Sequence, residues 1–166
     1  MRAACAPLLL LVAALDLTRG QAADWPHFLG PTSDGISTET GLLSAWPSSG
    51  PKVLWKKQIG TGYSAPAIRD GRLVLFHRVK NEEIVQAFDV KTAKPLWQHS
   101  YPTRYRDPFG YNNGPRCSPL LTDKHCFTYG AEGVLHCLDV KSGKPVWQRK
   151  TSEEFQIPEA FFGVGA

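Results

Sequence analysis

Alternation rather than helical periodicity organises this chain. Short apolar-rich runs are separated by breaks containing Gly, Asp and Lys, and no stripe repeating every 3.6 residues reaches useful length beyond residue 23. The runs predict strands at about 64–68, 72–79, 84–89 and 95–99, then at about 117–121, 125–129, 134–139 and 145–149. Asp70-Gly71 and Asp123-Lys124 punctuate the first hairpin of each set. Lys80-Asn81-Glu82-Glu83 reads as a polar loop in the first set, and Gly130-Ala131-Glu132-Gly133 as a compact turn in the second.

The two sets are copies. Residues 88–98 read FDVKTAKPLWQ and residues 138–148 read LDVKSGKPVWQ. Asp89, Lys94, Pro95, Trp97 and Gln98 recur as Asp139, Lys144, Pro145, Trp147 and Gln148. Upstream, Pro66 and Asp70 recur as Pro119 and Asp123. The spacing is 53 residues upstream (66 to 119) and 50 downstream (97 to 147). The difference places a length change in the hairpin between, three residues shorter in the second copy. Four-stranded antiparallel units repeating at such a period are the signature of β-propeller blades. The fold class read from the sequence is therefore all-β, a propeller of four-stranded blades. About two are present, at about 63–99 and 116–149, within a partial propeller spanning 51–166.

Two end fragments extend this picture. Val53-Leu54-Trp55-Lys56 resembles the last-strand motif without the strands that should precede it, so it reads as an orphan closing strand. Residues 162–166, Phe-Gly-Val-Gly-Ala, echo Ile59-Gly60-Thr61-Gly62-Tyr63 and read as the start of a third blade. A ring needs about four to eight blades, so the expectation is a fragment of a longer protein.

Composition changes the picture at the N-terminus. Arg2 followed by the apolar run 3–15 and the small-residue stretch at 20–23 reads as a signal peptide over residues 1–22. An extended lead-in follows at 23–50. The expected location is periplasmic or secreted, with no membrane span once the signal is removed. The net charge of +4 is mild and no Lys/Arg run exceeds two residues, which gives no nucleic-acid footprint. Cys117, Cys126 and Cys137 remain after the signal. A two-residue turn at 131–132 would set Cys126 opposite Cys137, allowing a cross-strand disulfide; buried free thiols are the other reading.

Candidate chemistry concentrates on the long loops that enter the innermost strands, 101–116 and 151–162, because loops on a rigid scaffold carry binding residues. Arg104, Arg106, Asp107, Tyr111, Asn112, Asn113 and Arg116 are the candidate face for a protein partner or small molecule. The competing reading pairs Arg106 with Asp107 and packs the aromatics on the next blade. His77, His99, His125 and His136 lack metal-ligand spacing and read as strand residues. Glu82-Glu83 and Glu153-Glu154 read as solvated loop charges. No catalytic and no metal-binding residue is assigned.

Ala87-x-Asp89-x-x-Thr92-Ala93-Lys94-x-x-Trp97 and Cys137-x-Asp139-x-x-Ser142-Gly143-Lys144-x-x-Trp147 resemble the tryptophan-docking motif of PQQ-like, or quinoprotein-type, β-propeller repeats. Asp24-Trp25-Pro26-His27-Phe28-Leu29-Gly30-Pro31 also resembles the lead-in of exported bacterial proteins of this type. The physical reading of the motif is structural. Trp55, Trp97 and Trp147 lay an indole over the adjoining blade, Gly143 lets a ring approach the backbone, and Asp89 and Asp139 accept turn N–H groups. The resemblance implies an exported binding or assembly scaffold without catalysis. The alternative it implies is a PQQ-dependent dehydrogenase acting on alcohols or sugars, with PQQ and calcium as cofactors. That alternative calls for an adjacent Cys pair, which the chain lacks.

Overall fold

The structure is a computed structural model that describes residues 23–157 and 163–164. The signal-peptide segment 1–22 and most of the expected third-blade start lie outside the described residues.

Two four-stranded antiparallel sheets form in sequential order. The first blade contains β1 (Ala67–Arg69), β2 (Arg72–Val79), β3 (Glu82–Asp89) and β4 (Pro95–Pro102). The second contains β5 (Leu120–Leu121), β6 (His125–Tyr129), β7 (Val134–Asp139) and β8 (Pro145–Lys150). A single helical turn, α1 (Thr151–Glu154), follows. The architecture is that of a partial β-propeller. Among the described residues no helix is long and apolar enough to cross a membrane.

Each strand forms where β-branched and aromatic residues can pack on a pleated surface, and each break falls where the backbone must turn. Asp70 and Gly71 both take positive φ (49° and 72°), the geometry of a tight hairpin turn between β1 and β2. The outer hairpin is built the same way twice. Asp89 accepts the backbone N–H groups of Lys91 and Thr92, and Asp139 those of Lys141 and Ser142. Both copies shift register at the same place, between Ala87 and Phe88 and between Cys137 and Leu138.

Three details differ from the sequence reading. Val79 pairs with Glu82, so only Lys80 and Asn81 form the turn and both glutamates belong to β3. The length difference between the copies therefore lies in longer strands of the first blade, not in a longer loop. Tyr129 pairs with Leu135 and Cys126 with Leu138, which sets Cys137 opposite Phe127. The turn holds three residues rather than two, the register slips by one, and Cys117, Cys126 and Cys137 are buried free thiols. Finally, β1 and β5 are shorter than expected. Pro66 and Pro119 have no N–H to give, and the preceding backbone bonds elsewhere: Thr61 N–H to Arg78 O at 2.9 Å and Tyr63 N–H to Pro115 O at 2.8 Å.

The core crosses the boundary between blades. Val74, Phe76, Val85 and Trp97 of the first pack with Leu121, Cys126, Leu138 and Val140 of the second. Part of the lead-in joins them on the inner side. Trp25 exchanges two backbone hydrogen bonds with Ile68, and Leu121 N–H donates to Pro26 O.

Candidate functional site

The outer hairpins hold the blades in place. The N–H of Val140 donates within its own blade to Lys124 O, which leaves its carbonyl facing the neighbour. Trp97 of the first blade fills that position: its indole N–H donates to Val140 O at 3.0 Å, and its ring lies against Gly143. A Cβ at Gly143 would fall 2.4 Å from the Trp97 ring, and φ there is +70°. Trp55 repeats the bond one unit earlier, donating to Val90 O at 3.0 Å, although no strand forms around it. Trp147 is 41% exposed, against 9% for Trp97, and rests beside Phe127 of its own sheet.

The loop after β4 is held by its own polar groups. Asp107 is the hub. Its carboxylate accepts the N–H groups of Phe109 (2.9 Å) and Asn112 (3.1 Å) and pairs with Arg116 at 3.2 Å. The two N–H bonds and the nearby guanidinium hold its carboxyl below the usual range. Asn113 Oδ1 accepts Asp107 N–H, and Arg116 lies over the rings of Tyr63 and Tyr105. The expected pairing of Arg106 with Asp107 is thus replaced by Arg116 with Asp107. Arg106 points to solvent with Arg104, Phe109 and Tyr111, while Asn112, Asn113 and Arg116 turn inward.

Two residues that sequence reasoning missed hold this loop. Arg78 is buried, yet its guanidinium bonds carbonyl groups: Lys80 and Tyr105 at 2.7 Å and Asn113 at 2.8 Å. It therefore ties β2 to both flanks of the loop. Glu83 sits opposite Arg78 in register and is also buried, not solvated as its sequence context predicts. Glu83 accepts Tyr101 O–H at 2.6 Å and the Ala131 N–H of the second blade at 3.0 Å. Burial raises its pKa, opposed by those two hydrogen bonds and by Arg78. The available signal was an Arg and a Glu flanking a tight turn, inside otherwise apolar strands. Glu153 and Glu154, by contrast, are exposed and pair with Lys150 and Arg149.

Beside this loop lies a cavity of about 580 Å³, bounded by Tyr101, Arg104, Glu132, His136, Gln148 and Lys150. His136, in its lining, meets His99 across the blade boundary, ring centroids 5.0 Å apart. Burial and the neighbouring imidazole push His136 down to about 4. His77, His99, His125 and His136 all lie in strands, at β2, β4, β6 and β7.

Asp107, the buried acid of the loop, spends its oxygens on two N–H groups and a guanidinium. Among the described residues no three His, Cys, Asp or Glu side chains gather as a metal site.

Residues 35–107 and 81–160 match the model of the family described as outer membrane protein assembly factor BamB. Among solved structures, the chain is similar to quinohemoprotein alcohol dehydrogenase from Comamonas testosteroni, at 19% identity and a TM-score of 0.52. That match covers 81% of this chain and 21% of the dehydrogenase, and at this identity it speaks for the fold alone. BamB from Moraxella catarrhalis matches at 20% identity and a TM-score of 0.30, over 55% of this chain and 37% of that one. The chain thus spans well under half the length of either structure. No curated protein matches it.

Proposed function

The chain belongs to the PQQ-like repeat family described as outer membrane protein assembly factor BamB, and on that premise we propose that it is part of an exported, non-catalytic scaffold that binds a protein partner through the 101–116 loop. The observation that carries this reading is the loop itself. Asp107, Asn112 and Asn113 brace it with internal hydrogen bonds, while Phe109 and Tyr111 stand 52% and 69% exposed at its tip. Their rings are stacked 6.2 Å apart. A rigid loop with exposed aromatics loses little entropy on docking, the property of an interface anchor. The blade interface, with Trp97 on Val140 and Glu83 on Ala131, supplies the rigid base. The location that goes with this role is the periplasm or the exterior.

A photo-crosslinking residue in place of Tyr111, in the full-length protein in its own cells, tests the reading. The expected result is an adduct with one identifiable protein, absent when the crosslinker replaces exposed Lys141 on the outer rim. Equal adducts from both positions, or none from Tyr111, contradict it. Oxidation of alcohols or sugars by the full-length protein with PQQ and calcium would overturn the non-catalytic part.

A further inference from the structure

We propose that the cavity between the two blades binds a small zwitterion, an amino acid or short peptide with both charges free. Arg104 takes its carboxylate, Glu132 takes its ammonium, and an aliphatic side chain lies along Val134 and Ile157. This goes beyond the partner reading of the loop and makes no use of the aromatic residues at its tip.

Three observations carry it. The first is the space. At one end of the joint between the blades, Trp97 fills the gap against Val140 and Gly143. Beyond Tyr101 the joint opens, and about 580 Å³ lies between the end of β4 and the β7–β8 pair. That falls within the roughly 300–1,000 Å³ of small-molecule sites. Its wall on the second blade is built in register, Val134 opposite Lys150 and His136 opposite Gln148.

The second is charge. Arg104 and Glu132 both line the cavity and are held side by side, because Glu132 Oε2 accepts the Arg104 backbone N–H at 2.9 Å and the Thr103 hydroxyl at 2.8 Å. Their opposite charges nevertheless do not pair. Among the described residues the Arg104 guanidinium has no partner, and Glu132 Oε1 accepts nothing. Lys150 and Glu153, the other charged pair of the lining, bond to each other at 3.1 Å. One cation and one carboxylate are thus left to the ligand. An anion alone would meet Glu132 and a cation alone would meet Arg104, whereas a molecule carrying both charges matches both. A guanidinium also takes a carboxylate with two parallel hydrogen bonds.

The third is how the site is braced and closed. The turn that carries Glu132 is held on both sides: Ala131 N–H donates to Glu83 at 3.0 Å, and the Ser152 hydroxyl donates to Glu132 O at 2.7 Å. The carboxylate is therefore fixed before a ligand arrives, which lowers the cost of binding. Val134 and Ile157, both half-buried, give the cavity an apolar wall. His136 adds no charge there. Its Nε2 meets Gln148 Oε1 at 3.1 Å, which places the proton on Nε2 and leaves Nδ1 as a buried acceptor without a partner.

The test titrates the full chain with L-leucine, the dipeptide alanyl-leucine, N-acetyl-leucine and leucinamide, by calorimetry and by NMR shifts of Glu132 and Val134. At least one of the two zwitterions is expected to bind, and the tighter of them gives the spacing of the charges. N-acetyl-leucine lacks the ammonium and leucinamide lacks the carboxylate, so each should bind about tenfold more weakly or worse than leucine. Arg104→Ala should bring leucine down to the level of leucinamide and leave leucinamide unchanged. Glu132→Gln should weaken leucine similarly without weakening N-acetyl-leucine. Arg104 is exposed, and Gln keeps the acceptor for Thr103 and Arg104 N–H, so unchanged circular dichroism is expected of both variants. N-acetyl-leucine binding as well as leucine, indifferent to Glu132→Gln, would make this an anion site and overturn the proposal. Binding of neither zwitterion, or binding that both variants leave intact, would overturn it outright.

Discussion

The two blades carry the same outer-strand motif and differ in what meets it. Trp97 and Trp147 share Lys, Pro and Gln neighbours and follow the same bulged register. Trp97 is 9% exposed and bonded to Val140 O, whereas Trp147 is 41% exposed. The residue before each, Leu96 or Val146, is exposed in both blades. Local structure is therefore equal, and the difference arises from the adjoining blade. It supplies an unclaimed carbonyl and a surface with no Cβ in the way. The motif works as half of a joint. Burial of a Trp face removes about 150–250 Å² from water only when the other half is present.

That comparison can be broken most forcefully at the tryptophans. Trp97→Ala is expected to destabilise by about 3–5 kcal/mol, and Trp147→Ala by about 1 kcal/mol or less, in chemical denaturation of the same chain. Equal losses would mean that the indole acts within its own sheet. A subtler break lies at the turn. Gly143→Ala places a methyl inside the Trp97 ring at positive φ, and about 2–3 kcal/mol of loss is expected. Ala93 holds the same turn position at φ +57°, with Trp55 bonded to Val90 of that turn. Ala93→Gly is expected to change stability by no more than about 1 kcal/mol. Matching melting shifts for the two would contradict unequal joints.

The boundary between the blades also has a pH signature. His136 is held down to about 4, first by burial and then by His99, and burial lowers His77 and His99 as well. A folded-state pKa below the unfolded value means that the unfolded chain takes up the proton first. Stability is then fully present above about 6.5 and is lost as pH falls from there toward about 4. His136→Gln is expected to flatten that slope in a series of denaturation midpoints at pH 7, 6, 5 and 4.5. An unchanged slope would place the titration elsewhere.

Much of the fold was legible because its signals are local. Asp70-Gly71, Pro95 and Pro145 each fix a backbone feature without help from distant residues, and β2, β4 and β8 begin where they were read. The register of β6 and β7 was not, because a loop of two or three residues fits the same Gly-bounded stretch. That one residue decided whether Cys126 faced Cys137. At the loop, composition revealed a face rich in Arg and aromatics. It could not distinguish Arg106, which is exposed, from Arg116, which is half-buried and paired with Asp107, since both sit near that acid in the chain. Glu83 was misread for the opposite reason. Its partner, the Ala131 N–H, comes from the other blade, and pairing across 48 residues leaves no local trace.

Indole hydrogen exchange on the full chain tests the joint most directly. Assigned N–H resonances would show the Trp55 and Trp97 indole protons protected by their bonds to Val90 and Val140. The Trp147 proton would exchange near the rate of a free indole. Equal protection of Trp97 and Trp147 would contradict the claim that the neighbouring blade, rather than the motif alone, completes the joint.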